Sequence, residues 1–298
     1  MHSPIKVLHA LSRSLVVELL HGSATLILTA FLLASNALSQ SETKALGMSA
    51  NELARKVVAN ELRLQDQDPG RWMYRLEKEE SGRKQAQEIL ETSYGSLSRL
   101  LSIDGHPLDT KQQRNEDQRI QSLVSHPDEQ QKLQQASAKK AEQGARLFRI
   151  LPDVFVFSYA ECHGALVTLT FSPNPNFRPT SLEAWVFHGM EGEMTVDIQQ
   201  ERLVALSGHL MRDVKFGARL LGHLDKGSKF EVRQTEVALD QWELTSLNVD
   251  MKGKALLFKT IGVQETENHS DFHAVPDDLT LAGAAAMLNR QVVVADNR

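Results

Sequence analysis

Two histidines and an aspartate fall within five positions in His269-Ser-Asp271-Phe-His273. On an extended chain alternate side chains point the same way, so His269, Asp271 and His273 would converge as ligands for a zinc-like ion. On a loop the same three residues scatter. The spacing alone does not close a ligand set, and the expectation is no metal. Glu161-Cys162-His163 sets a thiol beside an imidazole, but the triplet precedes Gly164 at a hairpin turn and no separate base accompanies it. It reads as a turn cysteine rather than a nucleophile. Gly217, Gly222 and Gly227 invite a phosphate-loop reading. That chemistry needs lysine and a hydroxyl after the second glycine, where His223 and Leu224 stand instead. A serine-hydrolase Gly-x-Ser-x-Gly elbow is missing too. No catalytic residue and no cofactor are expected.

The elements that would have to position any site are mostly strands. From Asp153 to Ile261 the pieces 153–159, 165–171, 182–187, 202–208, 230–234, 242–245 and 255–261 alternate apolar and polar residues at hairpin spacing. Further strands are expected over 71–79, 84–92 and 96–103, the second of them near a sheet edge. Phe155, Phe157 and Tyr159 share one face, as do Val167, Leu169 and Phe171, and Trp185 aligns with Phe187. Many strands and few helices predict an α+β fold built on one large, curving antiparallel sheet, an incomplete β-barrel. Trp72, Tyr74, Phe155, Phe157, Phe171, Trp185, Phe187, Phe216 and Phe258 are the residues expected to line its core or an apolar cavity. An ordinary filled core and a hollow one remain open alternatives at this point.

Helices frame the sheet. Ser49-Ala-Asn-Glu52 is a capping box, followed by an apolar stripe through Leu53, Val57, Val58 and Leu62. Between Asp109 and Arg149 the composition turns to Gln, Lys, Glu and Ala around a break at His126-Pro127. That predicts a helical hairpin inserted over 109–150, either a solvated connector or a movable cover. Pro276-Asp-Asp278 should cap a short helix over 279–288, with a frayed tail after Arg290 and a flexible end over 291–298.

A net charge of −5 argues against nucleic acid, which requires a basic face. At the N-terminus Lys6 and Arg13 precede an apolar run from Ala24 to Ala37. At about 14 residues it suits a signal peptide and falls short of the roughly 20 needed to cross a bilayer. Ala37 and Ser39 fit cleavage near Ser39/Gln40, leaving residues 40–290 as one domain in the periplasm. An uncleaved N-terminal membrane anchor is the alternative. The single Cys162 leaves no intrachain disulfide.

The chain resembles two groups of proteins. Asn174-Pro-Asn-Phe177-Arg-Pro179, Val186-Phe187-His-Gly189-Met190-Glu-Gly192, Gly208-His-Leu210, Val214-Lys-Phe216-Gly217, Leu221-Gly222-His-Leu-Asp-Lys-Gly227 and Gly253-Lys-Ala-Leu-Leu-Phe258-Lys are similar to a family of bacterial envelope proteins without an assigned activity. The order of export signal, capped helix, strands, helical insertion and long meander looks like the LolA/LolB-type carriers of outer-membrane lipoproteins. The latter resemblance implies an open barrel closed by helices and a lipid or a lipidated protein as partner. The expected function is therefore non-enzymatic binding of an acyl chain, lipid or lipoprotein. A sensor that engages another envelope component is the alternative, and a hydrolase or metal enzyme comes behind both.

Overall fold

The computed structural model describes residues 47–66, 70–216, 222–255 and 259–295. The segment read as an export signal and Phe258 lie outside them. The chain begins with helix α1 (Ala50–Asp66), then β1 (Trp72–Glu80), β2 (Arg83–Thr92), β3 (Gly95–Ile103) and β4 (His106–Pro107). Helices α2 (Thr110–Ser125) and α3 (Pro127–Val154) follow. The chain continues as β5 (Phe155–His163), β6 (Leu166–Pro173), α4 (Leu182–Phe187), β7 (Met190–Asp197) and β8 (Arg202–Leu210). It closes with β9 (Val214–Phe216), β10 (Gly222–Leu224), β11 (Lys229–Ala238), β12 (Gln241–Ala255), β13 (Lys259–Ala274) and α5 (Leu281–Ala295). All strands join one open antiparallel sheet in the order β4-β3-β2-β1-β13-β12-β11-β8-β7-β6-β5, with β9 and β10 attached beside β12. The fold is α+β.

Residues directly opposite one another in neighbouring strands share a face. One row therefore runs Tyr159, Leu169, Met194, Leu206, Val232, Leu247, Glu267, Lys78 and Gln85 across nine strands. It is apolar as far as β12 and polar from β13 onward. The apolar stretch lies under α1 and α3, whose Leu53, Val57, Phe148 and Leu151 complete the main core. At the other end of the sheet the helices change sides. Met73, Leu90 and Leu97, which alternate with the first face, pack against Ile120 of α2 and Ala284 and Leu288 of α5.

The helix starts are local chemistry. Ser49 and Glu52 exchange hydrogen bonds as the capping box requires. Asp109 and Gln112 form a second box at the start of α2. Pro127 opens α3, where its missing N–H costs nothing. Glu61, fully buried in α1, accepts from Arg202 Nε and from the Leu203 N–H, each at 2.8 Å, pinning the helix to β8. Burial pushes its carboxyl above the usual value against the pull of Arg202. At the free edge of the sheet Asn51 acts as a substitute strand: its amide oxygen accepts from Phe157 N–H at 3.0 Å and its nitrogen reaches Phe155 C=O at 3.4 Å.

Several expectations need correction. Residues 182–187 form helix α4, not a strand: Ser181 accepts from the Ala184 N–H as an N-cap, and Ala184 and Phe187 supply the buried i, i+3 pair. Six residues are too few for alternation to separate the two periods. Asp153 and Val154 end α3 rather than starting β5. The last helix starts at Leu281 behind Thr280, whose hydroxyl accepts from Gly283 N–H, and it continues past Arg290 to Ala295. β2 is internal, between β1 and β3.

Candidate functional site

Strands β5 to β8 and β11 have a second face that none of the described helices covers. Its central row is Ser158, Thr170, Glu193, Ser207, Glu231 and Asn248, polar at every position. These residues, with Val156, Ser172, Glu191, His209 and Lys229, line a groove of 690 Å³. Its floor lies at Gly192 and Gly208, which face each other across β7 and β8. A Cβ on Gly192 would stand 2.0 Å from the Ser207 carbonyl oxygen and 2.7 Å from Phe171 Cζ. One on Gly208 would meet the Phe230 ring at 2.9 Å. Glycine is needed at both because backbone and aromatic rings approach there more closely than a side chain permits. Within the groove Glu191 pairs with His209 at 3.2 Å and Glu231 with Arg233 at 2.6 Å. Among the described residues Glu193 makes no ion pair and no side-chain hydrogen bond.

Behind that floor lies the aromatic cluster expected from the sequence. Phe155, Phe157, Phe171 and Phe187 come together, with the Phe155 and Phe171 centroids 4.4 Å apart. The void they share with Leu151, Met194, Leu206 and Phe230 measures 10 Å³. That is at the lower limit for a single water, so of the two alternatives left open by the sequence it is the filled one that the described residues show around these aromatics. Trp72 and Tyr74 belong elsewhere, in a smaller cluster with Ile89 and Phe272 on β1, β2 and β13. Trp185 is 47% exposed on α4 and lines nothing. Phe216 is the last residue of β9.

Between the two clusters sits a buried charged seam. Lys78 Nζ bonds Glu265 and lies 3.0 Å from Glu80 and 3.5 Å from Glu267. His269 Nε2 stands 3.3 Å from Glu267 Oε2, and its ring stacks on Tyr74 with centroids 5.2 Å apart. Burial pushes the Glu267 carboxyl up, but the His269 bond and the His269 and Lys78 charges outweigh it and hold the group down to about 2. Glu265 goes the other way: burial raises it in spite of Lys78.

The convergence that a regular extended strand would give His269, Asp271 and His273 does not occur. Asp271 has φ of 56° at an irregularity where β13 carries an extra residue against β1. The register shift leaves His269 buried and His273 exposed. Among the described residues no group of three His, Cys, Asp or Glu could hold a metal ion. Cys162 is exposed at the end of β5. No described helix is long and apolar enough to cross a membrane.

Sequence reasoning missed the groove. The signal was present in Thr170-Phe-Ser172 and Glu191-Gly-Glu193, where polar residues alternate with the buried ones. Attention to the aromatic half of the alternation passed over the other half. No family model, no curated protein and no solved structure matches the chain. The likeness to the LolA/LolB-type carriers rests on the sequence reading alone.

Proposed function

We propose that this chain works in the cell envelope by binding rather than by catalysis, and that the uncovered sheet face is where it binds. The groove supports this: an open concavity of 690 Å³ already exists there, whereas the void among the aromatics of the helix-covered face measures 10 Å³. Pockets of several hundred Å³ suit a ligand of lipid-fragment or peptide size. The lining suits an amphiphile. Val156 and the glycine floor offer apolar contact, while Thr170, Ser207 and Asn248 in the central row and Ser172 beside them offer hydrogen bonds. A lipid or the acyl-bearing end of a lipidated protein fits that description. In this reading the helical hairpin α2–α3 is scaffolding that fills the opposite face, and α3 need not move for a guest to enter.

Mass spectrometry of the protein purified from its own envelope tests the proposal. Co-purifying lipid or lipopeptide is expected with the wild type and is expected to vanish in Ser207→Trp, which fills the groove. The variant should melt as the wild type does. Retention of the same guest by Ser207→Trp would place binding elsewhere, and a wild type that carries nothing and takes up no added lipid would end the proposal.

A further inference from the structure

Three of the five ionisable side chains in the groove lining are engaged: Glu191 with His209 at 3.2 Å, and Glu231 with Arg233 at 2.6 Å. The exceptions are Glu193 on β7 and Lys229 on β11. Both are exposed, and among the described residues neither makes an ion pair or a side-chain hydrogen bond. Asp250 is directly opposite Lys229, but its carboxylate is taken by Lys252 Nζ at 3.1 Å and Gln264 Nε2 at 3.3 Å. The sheet register keeps the two free charges apart. Glu193 is opposite Ser207 and Ser207 opposite Glu231, while His209 is opposite both Glu191 and Lys229. Glu193 and Lys229 therefore sit on one face, two strands and two residues from each other, with Cα atoms about 12 Å apart.

A free carboxylate and a free ammonium held apart in one groove match a ligand that carries both charges. A wholly anionic ligand would satisfy Lys229 and be repelled by Glu193, and a simple cation would do the reverse. The ground between the two is suited to the body of such a ligand. The Ser207 hydroxyl lies in the lining there, and so do Phe171 and Phe230 beside the Gly192–Gly208 pair, giving apolar contact. Resting on the groove as the binding surface, we propose that its occupant is a zwitterion with a primary ammonium and a phosphate, presented as the head of an aminophospholipid. Glu193 accepts from the ammonium and Lys229 donates to the phosphate, both as charge-assisted hydrogen bonds. A quaternary ammonium has no N–H to give Glu193, so a choline head is the poorer ligand.

The test is equilibrium dialysis of the purified chain against short-chain phosphatidylethanolamine, phosphatidylcholine and phosphatidylglycerol of identical acyl composition, kept monomeric, and against free phosphoethanolamine. Phosphatidylethanolamine should bind tightest, with phosphatidylglycerol weaker by about three- to fivefold, the range of one exposed ion pair. Glu193→Gln should erase that difference and Glu193→Lys should invert it. Lys229→Gln should weaken both phospholipids alike, because both carry the phosphate. A wild type that takes the three lipids equally, a preference that survives Glu193→Gln, or unchanged binding in Lys229→Gln would each overturn the proposal. Free phosphoethanolamine binding as tightly as the lipid would move the zwitterion to a soluble source and overturn the lipid as its carrier. The groove itself is judged separately by Ser207→Trp. If that variant loses all binding while the wild type shows no headgroup preference, the groove stands and the zwitterion alone falls. If it binds as wild type does, or if no lipid binds the wild type, the groove falls and the zwitterion with it.

Discussion

Strands β5 to β8 present two faces of opposite character from alternate residues of the same strands. Along β6, Val167, Leu169 and Phe171 are buried beneath α1 and α3, while Thr170 and Ser172 between and beside them line the groove. Burial of one face is free to supply stability because the other makes no demand on it. A sheet buried on both sides would have spent every position on packing. The N-terminal strands show the reverse arrangement. There α2 and α5 cover the opposite face, and the side that faces the main core further along carries Lys78, Glu265 and Glu267 instead.

The sharpest way to break the contrast between the faces is to cut neighbouring residues of β6. Phe171→Ala should cost about 3–5 kcal/mol, the range for emptying a packed aromatic site, read from urea unfolding. Glu61→Gln leaves the buried Arg202 guanidinium without its counter-charge and should cost about 3 kcal/mol. A loss under about 0.5 kcal/mol would mean that α1 is held by its apolar stripe alone. Gly192→Ala should cost about 1–3 kcal/mol or more, because the added methyl meets backbone that cannot step aside.

A smaller effect tests the charged seam. Glu267 is held low, so its contribution is present above the ordinary value of 4.5 and is lost as pH falls toward about 2. Glu265 is raised, so its contribution is present at lower pH and is lost as pH rises through its folded value, which partly offsets the first. Glu267→Gln should therefore flatten the acid limb of a stability–pH curve between about 4.5 and 2, without shifting the alkaline limb. Least of all, Thr170→Ala, His273→Ala and Trp185→Asp should each leave stability within about 0.5 kcal/mol, as expected of exposed positions. A cooperative loss in any of them would contradict the assignment of that residue to the surface.

Much of the scaffold was legible from periodicity. The strands expected over 71–79, 84–92 and 96–103 match β1 to β3 within a residue at each end. The break at His126-Pro127 separates α2 from α3, because proline lacks the N–H that would carry one helix into the next. What failed shares one cause: local pattern does not say what lies across the sheet. Trp185 and Phe187 alternate as strand residues would, yet a cap at Ser181 decides for helix and turns the indole outward. The aromatics of β5 and β6 were correctly placed on one face. Whether that face was hollow depended on Phe148 and Leu151, on a helix whose docking no spacing rule specifies. The groove required knowing that Gly192 and Gly208 meet, a pairing fixed by strand order.

Asn51 has a consequence for how the molecule behaves in a crowd. Among the described strands β5 is the outermost, and the edge of a sheet is where another strand can continue the ladder. By engaging Phe155 and Phe157 with one side chain, α1 occupies the part of that boundary nearest the core, so that an added strand would have to displace it. A single amide thereby shortens the stretch along which an open-ended architecture could be extended.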